Sequence, residues 1–110
     1  MNILTIGNQR AVVTYDPETD MLRGEFLGLN GGADFYASDI PTLKAEGAKS
    51  LAAFLEVCQE SGIEPFRHFS GRFNARIDPK LHARAVEAAA AEGISLNQFI
   101  ERAIEHEVAA

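Results

Sequence analysis

A chain of 110 residues has room for one ordinary domain or two very small ones, which excludes a large enzyme built around an enclosed cavity. Hydrophobic residues make up 46% and charged residues 24%, the balance of a chain that packs a core rather than of a disordered one. The formal net charge of −6 argues at first against a nucleic-acid binder, because phosphate neutralisation needs clustered Lys and Arg.

In chain order, residues 3–6 and 11–15 are apolar and β-branched, and Asp16-Pro17-Glu18-Thr19-Asp20 supplies turn chemistry, so a hairpin is expected. Its return strand runs through Met21–Gly28, with Leu22, Gly24 and Phe26 on one face and Arg23, Glu25 and Leu27 on the other. Gly31-Gly32 interrupts the pattern, and Ala33–Ala37 makes a third short strand. Asp39 is then placed as an N-cap with Pro41 in the first helical turn. The apolar or small residues Ile40, Leu43, Gly47, Ala48, Leu51, Phe54, Leu55 and Cys58 recur at helical spacing up to Gly62. A three-stranded sheet covered by one helix is the expectation for residues 1–62. The lone cysteine, Cys58, falls on the apolar side of that helix and reads as a buried thiol.

Residues 63–70 contain Pro65 and no clear period, which reads as a linker. Beyond it the pattern changes. Gly71–Ile77 alternates strictly, with Phe73, Ala75 and Ile77 on one face and Arg72, Asn74 and Arg76 on the other. Asp78-Pro79 opens a helix with an apolar stripe of Leu81, Ala85, Ala88 and Ala89 that ends at Glu92-Gly93. Ser95-Leu96-Asn97-Gln98 has the form of a capping box. The helix it starts buries Leu96, Phe99, Ile100, Ala103 and Ile104 and turns Glu101, Arg102, Glu105 and His106 to solvent.

One strand and two short helices over 71–110 bury too little apolar surface to fold alone and leave a strand edge unpaired. Pairing the strand antiparallel with a second copy removes that edge and encloses a shared core of Phe73, Ile77, Leu81, Phe99 and Ile104. Arg72, Asn74 and Arg76 then project together from a two-stranded ribbon, one of the few elements that fit the major groove, where Arg forks onto guanine and Asn onto adenine. The N-terminus of the last helix, at Ser95 and Asn97, offers N–H groups to a phosphate. The bland alternatives are a solvated sheet edge for the first three residues and plain capping for Ser95 and Asn97. Charge distribution favours the DNA reading. Residues 1–69 carry five basic groups against ten acidic and residues 70–110 five against six, and no acidic residue lies between Phe66 and Ile77, where Arg67, Arg72 and Arg76 occur.

The stretch Ser70-Gly-Arg-Phe-Asn-Ala-Arg-Ile-Asp-Pro-Lys-Leu-His82 followed by Ala89-Ala-Ala-Glu-Gly-Ile-Ser-Leu-Asn-Gln-Phe-Ile100 resembles the C-terminal half of HicB-family antitoxins. Tyr15-Asp16, Arg23-Gly-Glu-Phe-Leu-Gly28, Leu55-Glu-Val-Cys-Gln-Glu-Ser-Gly62 and Pro65-Phe66 resemble the N-terminal half in outline. The resemblance implies an α+β protein: a partial ribonuclease H-like domain over 1–62 that binds a HicA-like messenger-RNA interferase, then a ribbon-helix-helix module over 71–110. That module would bind operator DNA, as a homodimer or a dimer of dimers, and repress its own operon. An excess of acidic groups in the first half suits a partner that must itself present positive charge to RNA. The alternative reading is a stand-alone ribbon-helix-helix regulator without a toxin.

Catalysis and cofactors are not expected. Asp16, Glu18 and Asp20 are spaced like the start of a calcium loop, but Met21 stands where Gly is needed and no Glu closes it at position 27. Asp34 and Asp39 read as turn or cap residues, and His68, His82 and His106 are too dispersed for a metal site. With no apolar run near the ~18 residues of a membrane span and no leader-like start, a cytoplasmic protein without membrane partners is expected.

Overall fold

The computed structural model describes residues 2–109. The architecture is α+β and divides into two compact units, Met1–Ser70 and Gly71–Ala110.

The first unit holds a four-stranded antiparallel sheet in which β1 (Ile3–Ile6), β2 (Gln9–Asp16), β3 (Met21–Phe26) and β4 (Asp34–Ala37) follow one another as a meander. The fourth strand corrects the three-stranded expectation. Gly7 and Asn8 both take positive φ, 53° and 66°, and bring Ile6 opposite Gln9. Such a two-residue turn has the twist that lets flanking strands pair directly. Residues 3–6 and 11–15 are therefore two strands, folded at a Gly-Asn dipeptide between them. At the next turn the Asp16 carboxylate accepts from the Glu18 N–H at 3.0 Å and the Thr19 hydroxyl at 3.1 Å. The Tyr15 hydroxyl donates to Asp20 at 2.6 Å across the same turn. That bond, with smaller contributions from desolvation and the Asp16 charge, raises the Tyr15 pKa above its ordinary value.

Helix α1 (Ile40–Ser61) starts at Asp39, whose carboxylate accepts from the Thr42 N–H at 2.8 Å, and ends at Gly62 in the left-handed conformation. Hydrogen bonding from the Thr42 backbone, and then from its side chain, holds the Asp39 carboxyl below the usual carboxylate range. Leu43, Gly47, Leu51 and Cys58 are its buried residues. Leu43 and Leu51 share a core with Ile6, Ala11, Phe26, Leu29, Ala33, Phe35 and Ala37 from the sheet and its loops, and Leu43 is completely buried. The approach of helix to sheet is set by two glycines around Phe35. A Cβ at Gly24 would lie 2.2 Å from the Phe35 ring, and one at Gly47 2.8 Å from it. Phe35 therefore fills a slot that larger residues would close, and it tilts against Phe26 with ring centroids 5.0 Å apart. On the opposite face of the sheet Arg23 pairs with Asp34 at 2.5 Å and with Glu25 at 3.3 Å.

The segment read as a linker runs back along the β3–β4 loop. Leu29 and Phe66 form an isolated antiparallel bridge, flanked by the bonds Asn30 N–H to Pro65 O and Arg67 N–H to Gly28 O, each 2.9 Å. The Asn30 side chain donates to the carbonyls of Glu64 and Phe66 at 2.9 and 3.1 Å. Periodicity carries no trace of this segment because main-chain bonds and the Asn30 side chain, rather than a buried stripe, hold it.

In the second unit α2 (Pro79–Glu92) and α3 (Leu96–Ala109) form a helical hairpin. Residues 71–78 are not assigned to any strand or helix. A strand is defined by its pairing, and a single chain offers this segment no partner strand, so the expected ribbon strand is not formed within one chain.

Candidate nucleic-acid interface

The second unit is built by local chemistry. Asp78 accepts from the Lys80 N–H at 2.8 Å and starts α2 with Pro79 in its first turn. Gly93, at φ 71°, ends α2 and passes its N–H to Ala90 while Ile94 donates to Ala89, the double bond of a left-handed helix cap. Ser95 and Gln98 then exchange two bonds: the Gln98 N–H donates to the Ser95 hydroxyl oxygen at 3.0 Å, and the Ser95 N–H to the Gln98 side-chain carbonyl at 2.9 Å. This reciprocal box satisfies two of the orphan donors at the start of α3. An ion pair between Glu92 and Arg102 ties the end of α2 to α3, and the Arg102 guanidinium also lies 5.6 Å from the Phe99 ring centroid. The sequence reading turned Arg102 simply to solvent. Its position ten residues beyond Glu92, across a tight turn, is the signal that would have found the pair.

Ala89 is the only buried apolar residue of this unit among the described residues. Ala85, Ala88, Ile94, Leu96 and Phe99 are half-buried. The rest of the apolar set lies on the surface: Phe73 is 67% exposed, Leu81 53%, Ile77 49% and Ile104 43%. Of the five residues expected in a shared core, only Phe99 is thus partly covered within one chain. Phe73, Asn97, Ile100 and Ile104 are among the residues that line one shallow groove of about 390 Å³. Asn97, expected at a phosphate, therefore sits beside residues expected in the core.

Arg72, Asn74 and Arg76 are exposed on the segment that precedes α2, and Asn97 and Ser95 are exposed at the start of α3. The Ser95 hydroxyl is engaged as a cap acceptor, which leaves its own hydrogen for an anion. Chemically, guanidinium forks and an amide are a donor set suited to base edges, and a helix N-terminus is suited to phosphate.

Among the described residues no three His, Cys, Asp or Glu side chains come together as a metal site. Four of the five carboxylates considered for one have other work: Asp16 and Asp20 stabilise a turn, Asp34 pairs with Arg23, and Asp39 caps α1. Among the same residues no helix is long and apolar enough to cross a membrane.

Comparison with known proteins gives no matching curated protein and no matching solved structure. One family model does match: residues 54–104, from the later turns of α1 through most of α3 and just under half of the chain, fit the HicB family, and the match supports membership of that family.

Proposed function

We propose that the protein is an antitoxin and autorepressor that acts by binding and not by catalysis. On this reading residues 71–77 of two copies pair as an antiparallel ribbon, with Phe73, Ile77, Leu81, Phe99 and Ile104 of each copy in a common core. Arg72, Asn74 and Arg76 read operator DNA in the major groove, while the start of α3 at Ser95 and Asn97 holds a phosphate. The sheet unit binds a HicA-like messenger-RNA interferase, in the cytoplasm, and no cofactor takes part. The observation that carries the reading is the apolar face of the second unit, where four of the five core candidates are exposed in a single chain. Those are the side chains that antiparallel pairing of residues 71–77 would cover. HicB is a family of toxin–antitoxin antitoxins, and the match to its model supports the antitoxin role. The acidic excess of residues 1–69 suits a basic partner.

The test is a gel-shift titration on the DNA upstream of the protein's own gene, at two salt concentrations, with the Arg72→Ala/Arg76→Ala double variant alongside. Each lost base contact should weaken specific binding by about 1–3 kcal/mol, with the dimer intact by sedimentation. Failure of a dimeric wild-type protein to bind specifically would sink the repressor half of the reading.

The family match begins only at Phe54, so the strands of the first unit lie outside it. That favours, as a second reading, a stand-alone regulator whose sheet unit has another use. A neighbouring gene for a small basic protein that co-purifies with this one, and whose toxicity it relieves, supports the antitoxin. Absence of any such gene supports the regulator.

A further inference from the structure

Strand β1 lies at one edge of the sheet, paired only with β2 among the described residues, and its sequence has no device that keeps such an edge from pairing further. Residues 2–9 carry no charged side chain and no proline. The Val13 N–H donates to the Asn2 carbonyl at 2.8 Å, which sets the alternation of the antiparallel ladder. Leu4 and Ile6 turn their main-chain groups to β2, while Ile3 and Thr5 turn theirs off the edge. The opposite edge is guarded. Strand β4 carries Asp34, ion-paired with Arg23, and leads within two residues to the Asp39 cap of α1.

Both flanks of β1 are apolar. Leu4, Tyr15, Leu22 and Ile40 are among the residues that line an open groove of about 450 Å³, and Ile3, Leu27 and Phe69 are among those that line another of about 260 Å³. Tyr15, Leu27, Ile40 and Phe69 are exposed. No acidic residue lines either groove, although residues 1–69 carry ten acidic groups against five basic. A basic partner finds no charge to attract it here, whereas a second copy of an acidic chain can approach closely only across such a surface.

We propose that β1 pairs antiparallel with β1 of a second copy, centred on Leu4. Ile3 of each copy then stands opposite Thr5 of the other, and because both turn their main-chain groups outward, the pairing closes four hydrogen bonds with none of those groups left over. Leu4 of each copy meets its twin on the helix side of the sheet. A four-residue edge falls short of the roughly 1,200 Å² that a stable pair buries, so one contact does not hold two monomers together. Two dimers that close on each other meet at two such contacts, and the edge becomes the joint of a dimer of dimers. The inference rests on the dimer of the proposed function, and the pairing adds no residue to the closed core of the sheet unit.

Sedimentation equilibrium of the full chain over a wide range of concentration tests it. Thr5→Pro deletes an outward N–H that β2 does not use, and an edge strand tolerates proline at such a position. The wild type is expected to pass from dimer to tetramer as concentration rises. The variant should need at least about tenfold more protein to do so, with the urea unfolding of its sheet unit unchanged. If Thr5→Pro does not fold, Thr5→Lys keeps the backbone intact, places a charge on the edge and is expected to give the same loss. A folded variant that assembles like the wild type overturns the proposal. So does a wild type that stays dimeric at every concentration, which leaves the antitoxin reading intact, whereas a monomeric wild type overturns the dimer of that reading as well.

Discussion

The two units of this chain solve the same problem in opposite ways. The sheet unit closes its core with its own residues: α1 lies on one face of the meander, and Phe26, Phe35, Leu43 and Leu51 are all buried. The second unit has well-capped helices and as regular a pattern, yet among its described residues it buries one alanine and exposes Phe73, Ile77, Leu81 and Ile104. Good local structure and a closed core are thus separate achievements. The first needs only neighbours in sequence, whereas the second needs a second layer, which some forty residues with one unpaired segment and two short helices do not supply.

The sharpest way to break this contrast is Phe73→Asp. A charge on the most exposed of the core candidates should abolish self-association and, with it, most of the helical signal of the second unit, while the sheet unit keeps its near-ultraviolet signature. Sedimentation equilibrium and circular dichroism read both. A variant that associates like the wild type would mean that the exposed face is not the one that pairs. Next in size is Phe35→Ala, which empties the slot between Gly24 and Gly47 and should cost the sheet unit about 3–5 kcal/mol. Urea unfolding should show that loss independent of protein concentration, whereas the stability of the second unit should rise with concentration as mass action requires of a dimer. If both units responded to dilution alike, the sheet unit would also depend on a partner.

The smallest effect belongs to the α1 cap. The Asp39 carboxyl is held below the usual carboxylate range by its bonds from Thr42. A carboxylate depressed in the folded state contributes stability that is present above its unfolded pKa and is lost as pH falls through the folded one. Asn at this position still accepts the bond from Thr42 but does not titrate in that range. Asp39→Asn should therefore flatten the acid limb of the sheet unit's stability curve and remove the Thr42 amide shift that accompanies Asp39 titration. An unchanged Thr42 titration would assign that limb to other carboxylates.

Much of this was legible from residue order. Helix boundaries at Asp39 and Gly62, Asp78 and Gly93, and the box at Ser95-Gln98 follow from short-range rules, and so does the inward face of Leu22, Gly24 and Phe26. The first hairpin is marked more weakly, by a single Gly7-Asn8 dipeptide between two β-branched runs. The Asn30 bonds to the Glu64 and Phe66 carbonyls and the Glu92–Arg102 pair leave no periodic mark, since each joins single polar groups brought together by folding.

By itself the sequence determined the local vocabulary: strands by alternation, helix ends by capping side chains, and two regions of different charge. The tertiary structure alone decided that Phe35 fills a glycine slot, that residues 64–67 belong to the sheet unit, and that the apolar stripe of the second unit stays on the surface of a single chain. The physical reason is the range of the forces involved. Capping and alternation act over a few residues and can be read in order, while burial depends on which distant surfaces are available to meet.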